Sequence, residues 1–189
     1  MSEEPIFDPA LEVRSLRTIE PAKLVRFASR SGEDELALTA IRSDEALLVV
    51  LNSRDRDSGR LDPFTELRAD AAKPVAAVIP RWRIEPLGFS VTGFNQSAGP
   101  GTILIPETSA GYLLADEPVN HRSRRVAVCL ETGTVLNSEE FRHLKSESRR
   151  YATVTAWKLW EQGEGKHSAR KLLFEFPEVA SANALLAAS

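Results

Sequence analysis

The chain has 189 residues, 42% apolar and 27% charged, which is ordinary globular usage and excludes a disordered or low-complexity protein. Its single cysteine, Cys129, excludes a scaffold held by intrachain disulfides. The net charge of −3 gives no whole-chain signal for nucleic acid.

Residues 1–10 read as an irregular arm, because Pro5 and Pro9 discourage regular structure. The acidic start lacks the basic and apolar stretches of a secretory signal. Apolar runs such as Ala46–Leu51 and Pro74–Pro80 are far short of the ~20 residues that span a bilayer. The expectation is therefore a cytoplasmic protein with no membrane partner.

Residues 11–19 are weakly patterned. From Lys23 to Asn52, a helical face competes with three short runs, Lys23–Arg30, Glu35–Ile41 and Ala46–Asn52. Turn residues between the runs favour a meander of strands. Residues 53–62 read as a polar loop. Asp62 followed by Pro63 predicts a short helix over Pro63–Ala72.

Short strands are expected next at Val75–Ile79, Trp82–Ile84, Gly88–Phe94, Thr102–Ile105 and Tyr112–Leu114, punctuated by Gly and Pro. The 116–120 stretch reads as a loop, the point at which the chain would subdivide. Arg124–Glu131 alternates, with Val126 and Val128 on one side. Asn137 and Glu140 resemble a capping box opening a helix near 138–148. Tyr151–Glu161 and Ala169–Phe176 predict a hairpin around Gly163 and Gly165, and Glu178–Ala188 a short C-terminal helix. The expected fold is one domain over 1–189 of the α+β class. It is mainly antiparallel β-sheet, sandwich- or barrel-like.

No motif fixes a chemistry. Asp55, Asp57 and Glu66 resemble part of a calcium loop, but Gly59 and Arg60 stand where a ligand and the turn glycine belong. Gly163–Ser168 lacks the spacing of a phosphate-binding loop. Cys129 lies in an apolar run, where cysteine acts as a small hydrophobe. It has no metal-ligand spacing to His121, His143 or His167. No catalytic residue, metal or cofactor is implied, and a non-enzymatic role is favoured.

The strongest signal is an uneven charge distribution. Residues 119–172 hold eleven Lys/Arg against six Asp/Glu. Arg122, Arg124, Arg125, Arg142, Lys145, Arg149, Arg150, Lys158, Lys166, Arg170 and Lys171 lie there, with Trp160 among them. Cations neutralise phosphates and aromatic rings stack on bases, so this mixture suits nucleic acid or another polyanion, bound within a larger assembly. A turn centred near Gly165 would bring Lys158 opposite Lys171 or close to it, a like-charge pair that an anion would relieve. The alternative is a protein–protein module without nucleic-acid contact, with an apolar patch around Trp82, Phe89 and Phe94.

Overall fold

The computed structural model describes residues 12–28, 34–52, 64–68, 75–92, 98–107, 110–119, 122–147, 151–162 and 170–177. The expected N-terminal arm, the polar loop over 53–62 and the C-terminal helix lie outside them. The strands are β1 (Glu12–Ser15), β2 (Leu24–Ala28), β3 (Asp34–Arg42), β4 (Glu45–Val50), β5 (Thr65–Arg68), β6 (Val75–Ile79) and β7 (Trp82–Thr92). They continue with β8 (Ile103–Pro106), β9 (Tyr112–Val119), β10 (Arg122–Cys129), β11 (Val135–Leu136), β12 (Tyr151–Gln162) and β13 (Arg170–Phe176). A 3-10 turn (Leu16–Thr18) and one helix, α1 (Ser138–Glu147), complete the described elements. Among the described residues the fold is mainly antiparallel β-sheet with one short helix, as expected.

The sheet runs β1-β6-β2-β3-β4-β5-β9-β8-β12-β13. Strand β10 pairs with the other edge of β9 and carries β11, while β7 pairs with the other edge of β12. Pairing is antiparallel except for a short parallel contact between β5 and β9 at Thr65 and Asp116. A parallel bridge joins Ile41 to Thr134, but the described strands form no closed barrel.

Strands β2, β3 and β4 form the expected meander. Helix and strand are hard to separate in this stretch of sequence because both faces are buried. Leu36, Leu38, Leu47 and Val49 point into the main core. Ala37, Leu48 and Val50 point the other way, into a second cluster with Leu16 and Ile19. Strands buried on both sides read as continuous apolar runs rather than alternation.

The predicted helix over Pro63–Ala72 is absent; Thr65–Arg68 is strand β5. Phe64 decides this. Its ring is fully buried, edge-on to Trp157, Phe174 and Phe176 at centroid separations of 5.9, 6.0 and 5.0 Å. Its backbone N–H donates to Val50 O and its carbonyl accepts from Asp116 N. Burying one large aromatic side chain stabilises by roughly 1.5–3 kcal/mol, more than capping and propensity give one short helix. Gly101 completes the packing. It has φ +84° and contributes its carbonyl to Trp157 Nε1 at 2.8 Å.

Two other segments differ from the sequence expectation. Trp82–Thr92 is a single strand through Pro86, which is tolerated because β7 pairs only with β12 among the described strands. Residues 116–119, expected as a loop, continue β9 and pair with β10.

The helix forms as its sequence predicts. Asn137 Oδ1 accepts the N–H groups of Glu139 and Glu140, and Glu140 Oε2 accepts the N–H of Asn137. Phe141 and Leu144 pack with Leu104, Leu114, Ala127 and Tyr151 in a third cluster. The Tyr151 hydroxyl donates to the Leu144 carbonyl, tying the helix to β12.

Candidate anion-binding face

Among the described residues, the cations of the basic region are distributed over both sides of β10, over α1 and over both sides of the β12–β13 hairpin. On β10, Arg124 and Arg125 alternate to opposite sides of the strand. Each meets a carboxylate directly across the β9–β10 ladder. Arg124 Nε donates to Glu117 Oε2 at 2.8 Å, and Arg125 Nε donates to Asp116 Oδ1 at 2.7 Å. Arg125 Nη1 also donates to the Ala98 carbonyl. Arg42 reaches the same Glu117 from β3, at 2.6 Å. Burial would raise the Glu117 pKa, but hydrogen bonds and charge from Arg124 and Arg42 outweigh it and hold the carboxyl below its ordinary value.

The Lys158–Lys171 pair does not occur. Lys158 stands opposite Glu175 and forms an ion pair with it at 3.5 Å, while Lys171 stands opposite Glu161. The ladder from Glu161–Lys171 to Gln162–Arg170 centres on position 166 rather than 165, and a bulge after Leu159 shifts the register again. Opposed like charges are thereby replaced by opposite ones, which stabilise the ladder.

Asp116, Glu117 and Glu175, which pair with these cations, lie just outside residues 119–172. From Asp116 to Glu175 the chain holds eleven Lys/Arg against nine Asp/Glu, so most of the basic excess is neutralised within its own strands.

Arg142 is exposed on α1. Arg122 heads β10 and Lys145 lies within α1. Arg149, Arg150 and Lys166 lie outside the described residues. So does Phe94, from the predicted apolar patch, and so does the side chain of Phe89; Trp82 packs against the main core.

A smaller constellation does assemble on the ribbon β7–β12–β13. Trp157 and Leu159 face the main core, so Trp160 points to the other side of β12. There Trp160 has Arg83 opposite it on β7 and Leu172 opposite it on β13. Arg170 lies two residues from Leu172 on the same face, across from Gln162. Arg83 and Arg170 are exposed, and neither forms an ion pair with a described residue. Trp160 is half-buried; its indole Nε1 is buried without a hydrogen-bond partner among the described residues. Leu172 is 43% exposed. The second and third clusters, which cover the outer side elsewhere, include no residue of β7 or β13. The neighbouring row carries Glu85, Lys158 and Glu175, two carboxylates flanking one cation. Arg83 gives no signal in the sequence, because it lies far from the basic segment and meets it only through β7–β12 pairing.

The remaining features are structural. Cys129 is buried in β10. A cavity between Trp82, Ile84, Trp157 and Leu159 has a volume of about 10 Å³ and an apolar lining, too small for a ligand. No group of three or more His, Cys, Asp and Glu among the described residues is placed to hold a metal. No helix among them is long and apolar enough to cross a membrane. No family model, curated protein or solved structure matches the chain.

Proposed function

We propose that the protein is a non-enzymatic binding protein for nucleic acid or another polyanion, using the outer face of β7–β12–β13. The supporting observation is Trp160, with Arg83 opposite it on β7 and Arg170 diagonal to it on β13, two exposed arginines without carboxylate partners among the described residues. A guanidinium free of an internal acid can neutralise a ligand's anion without first breaking an ion pair. Arg124, Arg125 and Lys158 are spent on Glu117, Asp116 and Glu175, so they are assigned to the fold. Lys171 is exposed on the opposite side of β13 from Arg170 and Leu172, and Arg142 is exposed on α1, so both are assigned long-range attraction at most. The test is titration of the protein with labelled heparin over a range of salt. Affinity that falls steeply with salt and weakens in Arg83→Gln and Arg170→Gln supports the reading. Absence of binding at low salt sinks it.

A second reading is a protein-interaction module on the same face. It is favoured by Leu172, which sets an exposed apolar side chain beside Trp160 and Arg83, residue types that anchor protein interfaces. Binding to a partner protein that is insensitive to salt, with no affinity for heparin, would favour it.

A further inference from the structure

We infer that the ligand of this face is single-stranded nucleic acid, with one base stacked on the Trp160 indole and flanking phosphates on Arg83 and Arg170. This rests on the polyanion-binding reading above and names the ligand class.

The argument starts from the order of side chains across the sheet. An aromatic ring sits on the middle strand, with a cation directly beside it on one outer strand and another diagonally across on the other. Neighbouring strands are about 4.8 Å apart, so the cations belong to strands about 10 Å apart on either side of the ring. A polyanion without bases would gain nothing from the indole between them. A nucleotide chain presents a π-face and flanking phosphates together. In a duplex the base faces are stacked on one another and cannot reach a ring on a sheet surface, whereas single strands can splay a base out.

The adjacent row limits the site. Glu85 and Glu175 flank Lys158, so that row carries more negative than positive charge and repels a phosphodiester backbone. The footprint is therefore a few nucleotides along the Arg83–Trp160–Arg170 band. Nothing among the described residues of this face favours one base, so recognition is by stacking and charge rather than by sequence.

The test compares a short labelled oligothymidylate, a mixed-sequence duplex of equal length and heparin, each titrated into the full chain at low salt. The oligothymidylate is expected to bind more tightly than the duplex. Trp160→Ala should weaken it by about 5- to 150-fold, the range of aromatic stacking contributions to a base. Trp160→Phe, which keeps a π-face, should retain most of the affinity and guards against a folding defect in the alanine variant. Heparin binding should change little in either variant. Equal affinity for duplex and single strand, or oligothymidylate binding as strong in a folded Trp160→Ala as in the wild type, would overturn the inference while heparin binding left the polyanion reading standing. Loss of all three interactions in the wild type would remove both.

Discussion

Arg124 lies directly across the β9–β10 ladder from Glu117, and the same carboxylate also receives Arg42 from β3. One acid thus joins the β2–β4 meander to the β9–β10 hairpin. Glu117→Gln leaves two guanidiniums facing each other around an uncharged amide. Its expected cost is about 1–2 kcal/mol, typical of removing a partly buried charged hydrogen-bond partner. Urea denaturation at neutral pH measures it.

The same group gives a pH dependence. Its folded-state pKa is lowered from 4.5, so its stabilisation is present above that value. It is lost as the pH falls below 4.5 and through the folded-state pKa. Thermal unfolding below pH 4.5 should therefore show a steeper loss of Tm in the wild type than in Glu117→Gln. Parallel curves would remove Glu117 from the account of acid stability.

Gly101→Ala should be severely destabilising. An added Cβ would lie 2.4 Å from Phe64 Cε2 and 2.7 Å from Phe176 Cε2, at a φ of +84°. Overpacking and left-handed strain each cost about 1–3 kcal/mol, and both rings are already packed against Trp157. The expected result is a Tm far below that of the wild type, or loss of cooperative unfolding, in differential scanning calorimetry.

Asn137→Ala removes the acceptor for two backbone N–H groups at the start of α1. The expected loss is about 1 kcal/mol. Asn137→Asp should keep most of the stability, since aspartate caps as well and also suits the helix dipole. Guanidinium denaturation of the pair distinguishes a capping role from a generic effect of the site.

How far the fold is legible in the sequence follows the range of the interactions. The helix cap, the meander and the β12–β13 hairpin depend on neighbours a few positions apart, and Asn137, Glu140 and the turn residues announce them. Phe64 gives no such sign. It leaves the helical reading because its ring fits among Trp157, Phe174 and Phe176, more than ninety positions away. The candidate site is obscured in the same way. Asp116 and Glu117 have the sequence character of a loop, which hides the acids facing Arg125 and Arg124. One bulge after Leu159 places Glu175 across from Lys158. Trp160 and Arg170 are legible as candidates, but their companion Arg83 needs the register of β7 against β12.

The most direct test of the assignment is the salt dependence of oligothymidylate binding in two variants measured side by side. In Arg83→Gln/Arg170→Gln, the slope of log affinity against log salt should fall by about 1.4, roughly 0.7 for each phosphate contact removed from a single strand. In Arg124→Gln, which removes a cation already paired with Glu117, slope and affinity should match the wild type. A slope unchanged in the double variant and reduced in Arg124→Gln would contradict the assignment and place the ligand on the β9–β10 hairpin.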